Sequence, residues 1–177
     1  NARKLNADIM LFSGTKVFSL NGVGVLFFRQ QVKEKLLAEK HGEDLSFESG
    51  SRNYLAIKSL DYGISFVNDY GLKKISDELS DLTRYAIESL STVPRLAFTK
   101  GVGQCDINCS PGYGIVSFSI EGISAAEIAY YLSDNGIRVR AGDLCNKDNN
   151  FVRIGLHIYN TKEDIDRFAK ILKGFFQ

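Results

Sequence analysis

The stretch DIMLFSGTK at residues 8–16, followed by NGVGVLF at residues 21–27, decides the fold of this chain. Short apolar runs from Ala7 to Phe12 and from Gly22 to Phe28 predict two strands of a buried sheet, joined by a loop that carries Lys16. A lysine in a loop is usually solvated, so its position alone is weak support for chemistry. The loop is not a phosphate-binding P-loop, because the required Gly-Lys-Ser/Thr order is absent.

The composition is that of an ordinary globular protein. With 177 residues, 44% of them hydrophobic, the chain is long enough for one well-packed core, or for one domain and part of another. Its 22 basic and 21 acidic residues are mixed along the chain, which disfavours nucleic acid and anionic membranes as partners. No apolar run approaches the ~20 residues needed to cross a bilayer, and no secretory signal opens the chain. These features predict a cytoplasmic protein.

The three cysteines, Cys105, Cys109 and Cys145, argue against a disulfide framework, because their number is odd and the chain has ample core material. Cys105 and Cys109 have no second pair nearby to complete a zinc site, so we predict no metal centre. The first two residues resemble a cloning scar, and a strand-like run follows almost at once. We therefore expect an excised piece of a longer protein.

Helical periodicity dominates the middle of the chain. Residues 29–39 are polar with apolar residues at helical spacing, and they predict a connecting helix near a domain boundary. From Ile57 to Leu90, apolar residues recur every three or four positions and predict two amphipathic helices broken near Gly71. We predict three parts, namely two strands with the lysine, a connector with long helices, and a small C-terminal domain, at residues 1–30, 31–92 and 93–177.

The last part of the chain mixes strands and helices. Ser124 with Glu127, and Thr161 with Asp164, have the capping-box spacing and predict that a helix starts after each of them. Apolar and alternating runs predict four strands, at residues 95–98, 115–120, 137–141 and 152–158.

Alternation along the last of these predicted strands separates its side chains onto two faces. Arg153 and His157 fall on one face, and Val152, Ile154, Leu156 and Ile158 on the other. Arg153 is therefore expected to point away from the apolar layer. For His157 we expect a structural role with a hydrogen-bonded ring.

Four motifs, in order, resemble those of the class V aminotransferases, the pyridoxal-phosphate family that includes cysteine desulfurases and selenocysteine lyases. The two opening stretches are similar to the family's D-x-x-x-x-S-x-H-K and G-P-x-G-x-G-x-L-Y around its Schiff-base lysine. FESGSRN at residues 47–53 resembles F-E-x-G-T-x-N, VRAGDLC at 139–145 resembles R-x-G-x-x-C, and VRIGLHIYNT at 152–161 resembles R-x-S-x-x-x-Y-N-T. Because these motifs cover nearly the whole chain in the family's order, the resemblance is specific.

The resemblance implies a cofactor site around the lysine. Lys16 would bind pyridoxal 5'-phosphate covalently, and partial burial in its turn would favour the neutral amine that this chemistry needs. Ser13 would hold the cofactor phosphate, with the hydroxyl of Thr15 beside it. Ser51 would reach the phosphate of the neighbouring subunit's cofactor, which implies a homodimer.

The resemblance also implies the groups that handle the substrate, cysteine or selenocysteine. Arg153 would pair with the α-carboxylate of the amino acid, for which guanidinium geometry is suited, and Arg140 would assist. Cys145, as a thiolate in basic surroundings, would take the substrate sulfur as a persulfide and pass it to a sulfur-acceptor protein.

Several positions depart from the family pattern. Thr15 replaces the usual His before the lysine, Ser51 and Arg52 replace Thr-Pro, and Asp143 and Leu144 replace the residues, often His, before the cysteine. In the family, the ring-stacking residue, the Asp that pairs with the pyridine nitrogen and the first phosphate-binding turn all precede the lysine segment. The 177 residues alone are therefore expected to bind the cofactor weakly and to catalyse little.

The pattern of elements predicts an α/β chain with a small α+β domain, and the resemblance implies that it is the C-terminal part of a pyridoxal-phosphate transferase of fold type I. Its antiparallel sheet would pack with helices, beside two residual strands of the large domain. The predicted reaction is removal of sulfur from cysteine by way of Cys145. The alternatives are a class V aminotransferase, epimerase or lyase in which Cys145 is incidental, and a non-enzymatic domain that dimerises.

Overall fold

The computed structural model describes residues 4–39, 50–99, 114–142 and 150–176. The chain divides into two compact units, Asn1–Leu72 and Lys73–Gln177. We describe each unit by itself. The three-part division predicted from the sequence stays a prediction.

The first unit contains a β-hairpin and two helices. Strands β1 (Ile9–Ser13) and β2 (Gly24–Phe28) pair antiparallel, with Ile9 opposite Phe28 and Ser13 opposite Gly24. A single 3₁₀ turn, Gly14–Val17, follows β1 directly. Two strands joined by a loop that carries Lys16 are thus confirmed.

The described residues of this chain do not bury the hairpin, and its predicted place in a buried sheet of a larger domain stays a prediction. The apolar side chains of β1 and β2 are exposed or only partly buried, and Leu11 is 75% exposed. The physical reason is that a sheet face is buried only when another layer packs on it, and the described residues of the first unit supply no such layer.

Helices α1 (Gln30–Glu39) and α2 (Tyr54–Tyr70) complete the first unit. The predicted connecting helix is confirmed as α1. Asn53 caps α2, because its side-chain oxygen accepts a hydrogen bond from the N–H of Ala56 at 3.1 Å. The helix ends at Gly71, whose φ of +96° lies in the region that glycine adopts without strain, so the predicted break is confirmed.

The second unit packs three helices with an antiparallel sheet. Its helices are α3 (Leu72–Leu90), α4 (Ala125–Asp134) and α5 (Lys162–Gly174). Its strands are β3 (Leu96–Phe98), β4 (Ile115–Ile120), β5 (Arg140–Ala141) and β6 (Val152–Gly155), in the spatial order β3-β4-β6-β5. All neighbouring strands are antiparallel.

One face of this sheet and the apolar stripes of the helices form the core. Alternation along β4 buries Val116, Phe118 and Ile120, while Ser117 and Ser119 lie on the other face. Full burial of such a side chain contributes roughly 1.5–3 kcal/mol. The helices add the remaining apolar residues, among them Leu90, Ile128, Leu132, Ile165, Phe168 and Leu172.

Both predicted caps lie where the sequence placed them. Ser124 Oγ accepts a hydrogen bond from the N–H of Glu127 at 3.1 Å and starts α4. Thr161 and Asp164 form a reciprocal capping box at the start of α5, with hydrogen bonds of 3.3 and 3.0 Å. In the part of the chain that the structure describes, no helix has the length and apolar character needed to cross a membrane.

Two predicted strands are shorter than expected. The strand predicted at 137–141 contains only Arg140–Ala141, and the strand predicted at 152–158 ends at Gly155. The backbone N–H of His157 donates to Oδ1 of Asn160 at 2.8 Å, and the N–H of Asn160 donates to the carbonyl of His157 at 2.9 Å. Because the Asn160 side chain binds the N–H of His157, the backbone turns here and does not continue the strand hydrogen bonds. His157 therefore does not share a strand face with Arg153.

Candidate active site

Lys16 lies in the 3₁₀ turn at the loop end of the hairpin, in the connection between β1 and β2. Gly14, the first residue of the turn, is buried, and its N–H donates to the carbonyl of Val23 at 3.0 Å. A Cβ at Gly14 would lie 2.3 Å from Oγ of Ser19, so no larger residue fits without movement. Here we call residues 13–20 the Lys16 turn. Close packing of Gly14 inside it fixes the point from which Lys16 emerges.

Two hydroxyl groups lie beside the lysine on the same turn. Ser13 Oγ and Thr15 Oγ1 are 2.9 Å apart and exposed. The Lys16 side chain is also exposed, and the described residues offer its amine no ion pair. The partial burial of Lys16 expected from the sequence is therefore not provided by the described residues of this chain. An accessible amine next to paired hydroxyls fits a ligand that carries both an aldehyde and a phosphate.

The backbone is strained at Phe18, two residues after the lysine. Phe18 has φ +65° and ψ +20°, the left-handed conformation, which costs an aromatic L-residue roughly 1–2 kcal/mol. Its ring packs edge to face on Phe66 of α2, with centroids 5.1 Å apart. Such a ring pair contributes about 0.5–1.5 kcal/mol beyond the area it buries, which is of the size needed to offset the strain.

Helix α2 makes further contacts with the Lys16 turn that the sequence analysis did not foresee. Ser59 Oγ accepts a hydrogen bond from the N–H of Leu20 at 2.9 Å. At Gly63 the carbonyl of Val17 approaches so closely that a Cβ would lie 2.0 Å from its oxygen. The available signal was the small size of two residues four apart, which share one helical face.

Ser51, the predicted phosphate ligand of a neighbouring subunit, is exposed and lies two residues before the α2 cap at Asn53. In the described part of the chain no hydrogen bond joins it to the Lys16 turn. Its proposed role toward a second subunit stays a prediction.

The two predicted carboxylate-binding arginines face each other across a strand pair. Arg140 on β5 is the register partner of Arg153 on β6, and Ser117 on β4 is the next residue in the same row. This row is on the sheet face opposite the buried Val116 and Phe118, as the alternation predicts. Both arginines are half-buried, and among the described residues neither has an ion-pair partner. Two guanidinium groups so placed suit a shared carboxylate.

The predicted site residues fall into two groups, one in each unit. Ser13, Thr15 and Lys16 lie together in the first unit, and Arg140 and Arg153 in the second. Cys145, predicted as the sulfur nucleophile, lies outside the described residues, as do Cys105 and Cys109.

The segment that contains Cys145 is flanked by well-bonded backbone. Before it, the N–H of Gly142 donates to the carbonyl of Phe151 at 2.7 Å. After it, Asn150 accepts a hydrogen bond from the N–H of Ala125 at 2.5 Å and donates to the carbonyl of Ile123 at 3.1 Å. Asn150 thereby connects the start of β6 to the start of α4.

His157 has the hydrogen-bonded ring expected of a structural residue. Its Nδ1 accepts a hydrogen bond from the N–H of Ile158 at 2.9 Å, and its ring stacks on Tyr159 with centroids 5.3 Å apart. Over the ranges that the structure describes, no three His, Cys, Asp or Glu side chains gather in a way that could hold a metal ion.

Comparison with protein families decides where this chain belongs. The model of the family "Aminotransferase class-V" matches residues 1–168, which is nearly the whole chain. The chain belongs to the class V aminotransferase family. The motif-based assignment is thus confirmed.

Individual relatives are named as desulfurases. The chain is 28% identical to a probable cysteine desulfurase of Borreliella burgdorferi, over 98% of this chain and 46% of that protein. It is 26% identical to a cysteine desulfurase of Serratia proteamaculans, over 96% of this chain and 46% of that protein. The class V chain therefore spans about half the length of these relatives.

A solved structure supports the same fold. The apo structure of a cysteine desulfurase from Thermococcus onnurineus NA1 superposes with a TM-score of 0.85 and 26% identity, over 99% of this chain and 48% of that one. The predicted fold class, helices with antiparallel sheets from a transferase of fold type I, is confirmed.

Proposed function

We propose that this class V chain serves a pyridoxal-phosphate enzyme that removes sulfur from cysteine. The observation that carries the proposal is the exposed amine of Lys16, on a turn that also presents the hydroxyl groups of Ser13 and Thr15. The relatives named as cysteine desulfurases support the choice of reaction within the family. They extend well beyond the length matched by this chain, so the activity of the whole enzyme is part of the proposal.

The residues of the Lys16 turn fit the cofactor that the family implies. Lys16 would hold its aldehyde carbon covalently, and the hydroxyls of Ser13 and Thr15 would donate hydrogen bonds to its phosphate. When bound, pyridoxal phosphate supplies an electron sink for the bonds at the substrate α-carbon. The exposed amine of Lys16 is then placed to take and return a proton at that carbon.

The opposed side chains of Arg140 and Arg153 are the proposed binding place for the substrate carboxylate. Arg153 and Arg140 each present a planar guanidinium with several N–H donors, and a carboxylate between them would accept hydrogen bonds from both. The half-buried position of both side chains strengthens such charge-assisted bonds, because water screens them less than at an open surface.

Cys145 is proposed to receive the sulfur. Its thiolate sulfur would form an S–S bond with the substrate sulfur while the substrate C–S bond breaks. The bonding pair stays with the carbon, which takes up a proton and leaves as alanine, so the enzyme retains a persulfide. A sulfur-acceptor protein would then remove the outer sulfur from Cys145. A homodimer, in which Ser51 serves the neighbouring subunit's cofactor, belongs to the same proposal.

We also propose that the 177 residues by themselves bind the cofactor weakly and catalyse little. The support is that the chain matches only 46–48% of the length of its relatives, while the resemblance assigns the ring-holding residues to segments before the lysine. The isolated chain is therefore expected to show little visible absorbance from bound pyridoxal phosphate at equilibrium.

The test is sulfide release from cysteine, in the presence of a thiol reductant, by the full-length enzyme that contains this sequence. Lys16→Ala and Cys145→Ala are both expected to abolish it, while Cys105→Ala, a matched change at another cysteine, retains it. Sulfide release that survives Cys145→Ala contradicts the persulfide role. Transamination or elimination that survives the same change favours a class V aminotransferase or lyase instead.

A further inference from the structure

One face of α2 lies along the Lys16 turn. Ser59 and Gly63 are four residues apart and share this face. Ser59 Oγ accepts the hydrogen bond from the N–H of Leu20, and it donates to the carbonyl of Ala56 at 2.7 Å, so its hydroxyl is fixed from both sides. Gly63 is buried because the carbonyl of Val17 occupies the place of a side chain.

The same face continues in both directions along the helix. Phe66, three residues beyond Gly63, packs edge to face on Phe18. At the other end, the side-chain nitrogen of the cap Asn53 lies 3.0 Å from the place a Cβ would take at Gly22. The segment after Lys16 therefore runs antiparallel to α2, with contacts near both ends and in the middle.

The Lys16 turn needs this external support. A single 3₁₀ turn is weak by itself, because its hydrogen-bond geometry is poorer than that of an α-helix. In addition, the strained φ of Phe18 falls two residues after Lys16, and strain of this kind persists only where the surroundings fix the backbone. In the described part of the first unit, the contacts from α2 add to the hydrogen bonds of Gly14 with Val23 and Ser19 in fixing this backbone.

We propose that Gly63 and Ser59 are positioning residues for Lys16. They hold the carbonyl of Val17 and the N–H of Leu20, and through these they set the direction in which the Lys16 amine leaves the turn. The proposal rests on the proposed function, in which that amine binds pyridoxal phosphate. Neither residue contacts the cofactor, since both act through the backbone of the turn.

Gly63→Ala distinguishes an effect on the Lys16 turn from an effect on the stability of α2, because the first is expected to be harmful and the second favourable. Alanine is more favourable than glycine in the interior of a helix, so the change would ordinarily stabilise α2. The new Cβ would nevertheless lie 2.0 Å from the oxygen of Val17, which is backbone and can move only with the turn. A stable α2 beside a displaced Lys16 turn is therefore the signature of a positioning role.

The experiment treats the full-length enzyme that contains this sequence with pyridoxal phosphate, fixes the lysine-bound cofactor as a secondary amine with borohydride, and quantifies the label on each lysine by mass spectrometry. The label on Lys16 relative to Lys33, an exposed lysine of α1, is compared between variants. Amide hydrogen exchange at Leu20 and across α2 is measured in parallel, without the cofactor. Ser65→Ala, at an exposed serine of α2, is the matched control for Ser59→Ala.

We expect Gly63→Ala and Ser59→Ala to lower the Lys16-to-Lys33 ratio on the order of tenfold, since small displacements of a reacting group have effects of this size. Exchange at Leu20 should rise about tenfold, as loss of one hydrogen bond predicts, while α2 stays protected. Ser59→Thr, which keeps the hydroxyl, should restore the ratio, and Ser65→Ala should leave it unchanged.

The outcomes separate this proposal from the proposed function. If the unaltered full-length enzyme is labelled at Lys16 ahead of Lys33 and both variants keep that preference, the positioning role is overturned and the cofactor role of Lys16 stands. If the unaltered full-length enzyme shows no preference for Lys16, the cofactor role fails and the positioning proposal fails with it. Raised exchange at Leu20 with an unchanged labelling ratio reduces Ser59 and Gly63 to structural residues and also overturns the proposal.

Discussion

Arg140 lies directly opposite Arg153 across the β5–β6 strand pair, with no ion-pair partner for either among the described residues. Directly opposed like charges destabilise a sheet, because the side chains of register partners are only about 4.5–5.5 Å apart at Cβ. An anion bound between the two guanidinium groups would offset this repulsion. The pairing thus connects the structure of the sheet to the proposed binding of a carboxylate.

Removal of one of these charges should stabilise the protein. Arg140→Gln is expected to raise the free energy of unfolding by roughly 0.2–1 kcal/mol at low salt, and the gain should shrink at high salt as screening weakens the repulsion. Urea unfolding at two ionic strengths measures it. Arg138→Gln, at an exposed position of the same segment, is the control. An equal effect at both positions would show that Arg140 and Arg153 do not repel each other.

Thr83 is expected to be the most sensitive hydroxyl in the second unit. It is buried, its Oγ1 accepts a hydrogen bond from the N–H of Gly114 at 3.0 Å, and it donates to the carbonyl of Leu79 at 2.6 Å. Thr83→Val keeps the shape but leaves the buried N–H of Gly114 without a partner, at a cost of about 1–3 kcal/mol. Urea unfolding is the measurement, with the exposed Thr92→Val as the matched change. Equal stability of the two variants would refute the prediction.

The capping box of α5 should also contribute measurably to the free energy of unfolding. Thr161→Ala removes the oxygen that accepts the N–H of Asp164, and we expect the free energy of unfolding to fall by about 1 kcal/mol. Thr161→Ser retains the oxygen and should recover most of the loss. Thermal or urea unfolding of the three proteins tests this, and a serine variant as unstable as the alanine variant would argue against the cap.

Tyr85 should give the stability a dependence on alkaline pH. Its hydroxyl donates to Oδ1 of Asp166 at 2.7 Å, and this hydrogen bond, followed by desolvation, raises the pKa of Tyr85 above its ordinary value of 10.0. Because the folded-state pKa is the higher one, the stabilisation is fully present below the unfolded-state pKa and is lost as the pH rises through the folded-state pKa.

The stability difference between the unaltered chain and Tyr85→Phe should therefore hold up to about pH 10 and shrink above it. Urea unfolding of both proteins from neutral to alkaline pH measures this difference. Tyr130→Phe, at a side chain that is 77% exposed, controls for general effects of alkali. A difference that does not change with pH would mean that the bond between Tyr85 and Asp166 does not form in solution.

Local signals in the sequence predicted most of the elements. The caps at Ser124 and Thr161 and the break at Gly71 are encoded within a few residues, since a side-chain oxygen meets an N–H two or three positions on and a glycine accepts a positive φ. The six-residue alternation of β4 likewise needs only its own sequence to indicate which face is buried. These elements are therefore accessible to sequence analysis.

Two features were not predicted: one is a local side-chain bond that competes with a strand, and the other depends on a layer packed from elsewhere. The end of β6 is decided by the side chain of Asn160, which binds the N–H of His157 before a strand can continue. The apolar pattern of the hairpin predicted burial, yet burial requires another layer that the described residues of the first unit do not provide.

The candidate site likewise has features that local sequence motifs predict and features that depend on distant residues. The motifs identified Lys16 and the two arginines as site residues, but the pairing of Arg140 with Arg153 depends on the register between β5 and β6. The contacts of Ser59 and Gly63 with the turn join residues about forty positions apart, and helical periodicity carries no information on what a helical face contacts.

The central claim, that Lys16 is the cofactor-bearing residue, is tested most directly by the map of reductively trapped pyridoxal phosphate over all lysines of the full-length enzyme that contains this sequence. The account predicts that Lys16 carries the label ahead of exposed lysines such as Lys33 and Lys58, and that Lys16→Ala loses this label without another lysine taking its place. Label spread evenly over the exposed lysines, with Lys16 no more reactive than the others, would contradict it.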